Sequence, residues 1–600
     1  MRLTGGEIIA QTLINSGIPW IAGIPGHGCL ALVDAFYKHR DELPLYLVRH
    51  EQSAAHMADG YYRVTGNPAA VFTSIGPGAL NLAVGLGTAY VDSTAILALI
   101  GETHTHMFGR GVLQEIERQR PADSLRVFEP LTRYSHLATG VEQLPHALNR
   151  SFQAMQSGRP GPAIIALPMD VQAKAMDINP ELLNYRVSDY PTRPDPADLI
   201  RAARLLTEAK RPVILAGGGA LRAKASTALV KLAEQIGAAV ITTMAGKSVF
   251  PEDHPLYGWH AGSKGTGCGN QLAAQADLIL AVGCRFADES TSSYRPGSSF
   301  SIPPARLIQI DIDPAEIGKN YPVEVGLIGN ASTVLEQLAG EIGKPVPDLY
   351  NRPYSIEIAD CRNRWLAELA ALRDTRSQPI SVSQALLEIR SALPRDAYLV
   401  TSSGHSQAQI LQEFPFYEPG TLVTTGGFST MGFSLPAALG VKLAYPEKTV
   451  ALVIGDGDFL MTAQELATAV QHNLAVIAIV LNNQGFLSIR DLQHDVYGET
   501  RRYATEFTNK TGHPVSPDFT ALAGAFGIKA EKVSKPGEVV SAIKRAVAAA
   551  QPYLVEVTVN REYPKSGGKA TGWWDVPIPE YLIEKRKTYE EARLEEKLDR

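Results

Sequence analysis

Apolar residues in this chain gather in short runs, separated by longer stretches with helical spacing, and the alternation occurs in three blocks. Short runs rich in Val, Ile, Leu and Ala, apolar on both faces, mark strands of a parallel sheet covered on both sides by helices. In the first block the runs fall at 20–25, 45–50, 69–75, 95–101 and 163–168. The second block starts with a helix from Pro196 and has runs at 211–216, 238–243, 278–282, 307–312 and 323–328. The third has runs at 397–402, 422–425, 450–454, 476–481 and 553–559. Polar, proline-dotted stretches at 188–196 and 344–353 read as linkers. The pattern predicts an α/β protein of three Rossmann-like, doubly wound parallel-sheet domains at 1–187, 196–343 and 378–565, with a tail at 566–600. From Tyr581 the tail carries charges of alternating sign and reads as a solvated helix. Trp573 and Trp574 are costly to leave in water and predict a docked segment, as a clamp on the body or a lid.

Composition mainly excludes. A net charge of -6 over 600 residues, well mixed, offers no basic surface for nucleic acid or an anionic membrane. Four cysteines without a C-x-x-C pair argue against a disulfide framework or a zinc site. The start M-R-L-T-G-G-E lacks the basic region and apolar core of a signal peptide, and no apolar run is long enough to cross a bilayer. A cytoplasmic location is expected.

The chemistry is concentrated in the third block. One apolar run ends in Gly455-Asp456-Gly457-Asp458 and the next in Asn482-Asn483. In a parallel sheet both ends reach the same edge, so Asp456 and Asn483 converge. Two hard oxygen ligands beside glycine amides at a helix start suit Mg²⁺ and a diphosphate. The arrangement resembles the thiamine-diphosphate motif, G-D-G followed about one βαβ unit later by N-N.

That resemblance implies more of the site. The carbonyl of Gly485 becomes the third protein ligand to the metal. The segment T-G-G-F-S-T-M-G-F-S-L-P from Thr425 resembles the family's stretch in which Met431 wedges between the two cofactor rings and the Ser429 carbonyl accepts from the pyrimidine amino group. R-H-E-Q-S-A-A-H-M-A-D-G-Y-Y-R-V-T-G resembles the signature that makes Glu51 the carboxylate against the pyrimidine nitrogen. The loop from Thr73 through Pro77 to Asn81 matches one lining the pyrimidine, and Gly404-His405-Ser406-Gln407 one approaching the diphosphate. The three domains are then pyrimidine-binding, central and diphosphate-binding. In this family the cofactor lies between the first domain of one subunit and the third of another, which implies a homodimer or dimer of dimers with shared sites.

Within the family the chain is most similar to acetolactate (acetohydroxyacid) synthase large subunits. G-R-P-G-P-A, D-I-D-P-A-E-I-G-K-N, G-C-R-F-A-D-E and M-T-A-Q-E-L-A-T-A-V-Q carry this likeness. V-L-Q-E places Gln114 near the substrate. The expected activity is carboligation or decarboxylation of a 2-oxo acid, by a transferase or lyase. There are departures. The first loop reads Pro25-Gly26-His27-Gly28 where the family has P-G-G-A, and Leu492 replaces a tryptophan that shapes acceptor choice. The I-P-G-H-G loop, the L-P-M-D-V-Q stretch and the late tryptophan pair are similar to trihydroxycyclohexanedione hydrolase, which opens a cyclic dione. There His27 polarises a carbonyl or moves a proton, with His104 and His106 as further candidates. Gly217-Gly218-Gly219, Arg285 and 311–320 resemble flavin-contacting stretches, so FAD is a candidate second cofactor. A non-catalytic relative that binds the cofactor for stability is the third reading.

Overall fold

A computed structural model describes residues 1–116, 124–184, 192–562 and 576–595. Trp573 and Trp574, and residues 188–191 of the first linker, lie outside the described residues.

Each block folds into a six-stranded parallel sheet. The first is built from Ile21–Gly23, Leu45–Leu47, Ala69–Thr73, Ile96–Glu102, Tyr134–Leu137 and Ala163–Pro168. Numbered along the chain, these strands lie side by side in the order 2-1-3-4-6-5. The third block repeats that order with Tyr398–Thr401, Leu422–Thr424, Val450–Gly455, Val476–Asn482, Lys529–Val533 and Tyr553–Thr558. The middle block differs. Its strands, Pro212–Ala216, Ala239–Thr242, Tyr257–His260, Leu278–Val282, Arg306–Asp311 and Val325–Ile328, take the order 3-2-1-4-5-6, that of dinucleotide-binding sheets. A two-stranded antiparallel ribbon pairs Arg2–Thr4 with Ala175–Asp177 and ties the two ends of the first domain together. Five strands of each sheet coincide with the apolar runs. The sixth, Tyr134–Leu137, Tyr257–His260 or Lys529–Val533, lies at a sheet edge each time.

One hydrophobic core spans the first and third domains, each of which has a second core on the far side of its sheet, and the middle domain has a further one. The shared core is centred on two crossing helices, Glu51–Thr65 and Ser434–Ala444. They meet through glycines: a Cβ on Gly60 would sit 2.3 Å from the Ala437 carbonyl oxygen, and one on Gly440 would sit 1.9 Å from that of Met57. Gly440→Ala is therefore expected to destabilise the protein by about 2 kcal/mol or more in urea unfolding, although alanine is worth about 1 kcal/mol in helix propensity. The crossing must open to admit the methyl group, and backbone oxygens cannot swing aside.

The tail helix Ile583–Glu595 is anchored beside the segment that follows Asn483. Lys585 Nζ donates to the Val496 carbonyl at 3.0 Å, and Arg501 donates to the Tyr581 hydroxyl at 3.3 Å. Among the described residues, no helix is long and apolar enough to cross a membrane.

Candidate functional site

Strands Val450–Gly455 and Val476–Asn482 are parallel neighbours with Gly455 opposite Leu481, so Asp456 and Asn483 leave the sheet at the same edge. Asp456 Oδ2 accepts from the Gln484 amide at 2.9 Å. One terminal amide atom of Asn483 lies 3.3 Å from Asp456 Oδ1 and 3.0 Å from the Gly485 carbonyl oxygen. With nitrogen at that position the amide hydrogen-bonds both groups. With oxygen there, three hard oxygens converge, one of them on a carboxylate, which is a donor set for Mg²⁺. Burial pushes the Asp456 carboxyl up to about 6, against backbone hydrogen bonds that lower it. A cation at the oxygen set would hold the carboxylate ionised.

These residues line a cavity of about 130 Å³ with Ser403, Gly404, His405, Ser406, Met431, Gly455, Gly457 and Asp458. It opens between the first and third strands of the sheet, where the strand order changes direction and parallel sheets place their ligands. Gly404 starts the helix Gly404–Glu413 at a φ of 80°, in the region that favours glycine. Asp458 braces the opposite wall: its Oδ1 accepts from the Gly432 amide at 2.6 Å and its Oδ2 from Ser402 Oγ at 2.5 Å. Burial pushes its carboxyl up to about 6 as well. Ser429, at a φ of 50°, hydrogen-bonds Ser403 through its hydroxyl at 3.0 Å. His405 lies 3.7 Å from Asp491, and burial holds its imidazole down at about 4. Gln407 is committed elsewhere. Its amide donates to Thr424 Oγ1 and the Thr425 carbonyl and accepts from Lys264, so it joins domains rather than lining the cavity.

Glu51 opens its helix directly after the second strand of the first sheet and is buried. Asn81 Nδ2 donates to Glu51 Oε2 at 2.9 Å, and the bare Cα of Gly78 leaves room for Oε1. Pro77 lines a second cavity with Leu80 and residues 111–116, among them Gln114. Gln114 is exposed, at a φ of 70°, and its carbonyl closes over Gly76. His27 is exposed in the turn after the first strand, which packs on Ser74 and Ile75. His104 and His106 lie 5.3 Å apart, and Thr105 between them is held by Asp170. Within one chain, the cavity around Asp456 has no lining residue from the first domain.

In the middle domain, Gly217 and Gly219 pack against Gly283, where a Cβ on Gly217 would meet a carbonyl oxygen at 2.2 Å. The crevice between the first and fourth strands forms there. Arg285 donates to the Val91 carbonyl of the first domain at 3.0 Å, and Asn320 donates to the Arg285 carbonyl at 3.1 Å. Two third-domain side chains outside the expected site residues, Glu465 and His472, hold the backbone leading to Glu51. The sequence signal for Glu465 is its place inside the family-like stretch M-T-A-Q-E-L-A-T-A-V-Q.

Three family models match the chain. They describe the N-terminal TPP binding domain of thiamine pyrophosphate enzymes at residues 3–121, the central domain at 199–338 and the C-terminal TPP binding domain at 402–557. A probable acetolactate synthase large subunit of Methanocaldococcus jannaschii is 35% identical over 93% of this chain and 92% of its own length. Acetolactate synthase isozyme 3 large subunit of Escherichia coli is 33% identical over 95% and 98%. An acetolactate synthase of Arthrospira platensis is 35% identical over 94% and 95%. Matching domains over most of the length, the diphosphate-type cavity and the buried Glu51 agree: the chain belongs to the thiamine pyrophosphate enzymes, in the acetolactate synthase-like family.

Proposed function

We propose that the protein uses thiamine diphosphate and Mg²⁺ to decarboxylate a 2-oxo acid and join the remaining fragment to a second carbonyl compound, as acetolactate synthases are named for doing. The convergence of Asp456, Asn483 and the Gly485 carbonyl on one point supports this most directly. Thiamine diphosphate, when bound, supplies an acidic carbon that adds to a carbonyl and an electron sink for the bond that breaks. The residues fit it. Asp456, Asn483 and Gly485 would hold the metal, and Gly404, His405, Ser406, Gly455 and Gly457 the diphosphate. Met431 would separate the rings, with Ser429 turning its carbonyl toward the pyrimidine. Glu51 would share a proton with the pyrimidine nitrogen.

A second copy completes the site in this reading. Leu80, Leu113 and Ile116 are exposed beside Pro77 and Gln114, and Phe428 and Met461 are exposed beside the Met431 loop. Apolar surface of this kind is suited to an interface between copies. The middle sheet supports FAD as a second cofactor: its strand order is dinucleotide-binding and its glycine turn stands at the point where that order reverses.

A hydrolase that opens a cyclic 1,2-dione is the second reading. It is favoured by an exposed His27 at the carboxyl edge of the first sheet and by Leu492 in the helix Leu487–Tyr497. The test offers the purified protein pyruvate and cyclohexane-1,2-dione separately, with Mg²⁺ and thiamine diphosphate. Acetolactate from pyruvate is the expected product. A ring-opened acid from the dione without acetolactate overturns the first reading for the second. No product from a broad panel of oxo acids and diones leaves the non-catalytic relative. The visible absorption of the same preparation reports the flavin.

A further inference from the structure

We propose that Glu465 of the third domain is a positioning residue for Glu51 of the first domain, holding from across the domain boundary the turn that presents it. This rests on the reading of Glu51 as the proton-sharing group.

Strand Leu45–Leu47 reaches the helix Glu51–Thr65 through only Val48, Arg49 and His50. That short turn decides where the Glu51 carboxylate lies. Three side chains from one stretch of the third domain hold it. The Arg49 amide donates to both Glu465 oxygens, at 3.1 and 3.2 Å. The Leu47 amide donates to His472 Nε2 at 3.1 Å. Arg49 Nη2 donates to Gln471 Oε1 at 2.6 Å.

The choice of a carboxylate is informative. Glu465 has no exposed surface. A serine or an amide could accept from one backbone N–H without the desolvation cost of a buried charge. A carboxylate bonds more strongly, and both its oxygens bracket the same hydrogen. Its own orientation is set by Thr468 Oγ1, which donates to Oε2 at 2.5 Å. Burial raises the Glu465 carboxyl above its ordinary range, and the hydrogen bonds from Thr468 and Arg49 oppose that.

The fold does not need this contact to bring the two domains together, because the glycine crossing of Glu51–Thr65 with Ser434–Ala444 already does. What Glu465 adds is register between two parts of the chemistry. The same stretch starts at Asp456, and Thr462 Oγ1 donates to the Gly432 carbonyl at 3.0 Å, next to Met431. Residues 456–472 thus fix in one piece this chain's metal ligand and Met431 loop, which serve one shared site, and its Glu51 turn, which serves the other.

The test compares Glu465→Ala with Glu465→Gln, which keeps an acceptor for Arg49. In cofactor-free protein, amide hydrogen exchange over residues 45–53 is expected to rise in the alanine variant and stay near the parent in the glutamine variant. In loaded protein, exchange of the C2 proton of bound thiamine diphosphate into deuterated water is expected to slow about 10- to 100-fold in Glu465→Ala, with cofactor affinity unchanged, since displacements near 1 Å cost rates of that order. Glu465→Gln should lie within about threefold of the parent. Unchanged amide exchange over 45–53 overturns the proposal, and so does raised amide exchange with unchanged C2 exchange. Should Glu465→Ala not fold, Thr468→Val leaves the carboxylate in place but unlocked and is read in the same two ways. Glu51→Gln separates the two levels. If that variant keeps parental C2 exchange, the reading of Glu51 fails and the catalytic meaning of the contact falls with it, while amide exchange still reports the contact itself.

Discussion

Glu51→Gln is expected to lower turnover about 1000-fold while leaving the binding of Mg²⁺ and thiamine diphosphate within a few-fold of the parent, the scale of a lost acid–base group. The exchange is nearly isosteric in a buried place. An amide can still accept from Asn81, and the room beside Gly78 admits either group. The helix start loses one first-turn carboxylate, a cost of about 0.3–1 kcal/mol that leaves the fold intact. What disappears is the ability to hold and return a proton. Steady-state rates and calorimetric titration of the cofactor separate the two effects. Parental turnover in the variant would sink the assignment. The same variant also tests the shared site. Co-expressed with Asp456→Asn, a dimer with sites between subunits places both changes in one site of each hybrid and leaves the other intact, so activity returns. Sites within one chain would each carry one change, and activity would stay lost.

The sequence made much of this legible, and the omissions have a common cause. Runs that are apolar on both faces mark central strands, and all of these were visible. One edge strand of each sheet was not: Tyr134–Leu137 is half-buried throughout, and Lys529–Val533 carries three charges in five residues. Tyr257–His260 is buried but reads Y-G-W-H, which has no aliphatic run. Asp456 and Asn483 were found because one strand pair fixes their convergence locally. Gln407 sits in the first turn of the helix Gly404–Glu413 beside the cavity, yet its amide turns toward Thr424 and Lys264, a contact between distant segments that no local pattern encodes. The same holds for Glu465 and for the Asp92 carboxylate, which accepts from Arg63 and from the Gly426 amide of the third domain. Motifs report what a loop is built around. They do not report which side chains are used to dock one domain on another.

The largest expected effect on stability concerns Asp456, and its size depends on whether ligand is present. Burial lifts this carboxyl from an ordinary 3.8 to about 6, so the ligand-free folded state binds a proton more tightly than the unfolded chain does. The stabilisation this gives is complete below the unfolded value and is lost as pH rises through about 6. At about pH 7.5 the ionised carboxylate therefore lowers ligand-free stability by about 3 kcal/mol relative to acid. Asp456→Asn removes that burden and still offers an oxygen to the Gln484 amide. Ligand-free Asp456→Asn is expected to melt at or above the parent. With Mg²⁺ and thiamine diphosphate at about 100 times the parental dissociation constant, the parent gains about 2.7 kcal/mol by mass action. The variant, lacking the charged member of the oxygen set, should bind about 100-fold or more weakly and gain under 1 kcal/mol. The variant's lead in the ligand-free state, up to about 3 kcal/mol, then shrinks by about 2 kcal/mol when ligand is added. General damage to the fold lowers the variant in both conditions, and a carboxylate unconnected with the metal leaves the ligand-induced gain equal in both proteins. Only a residue that is a burden to the empty site and a ligand in the filled one both raises the ligand-free melting point when replaced and removes most of the ligand-induced gain.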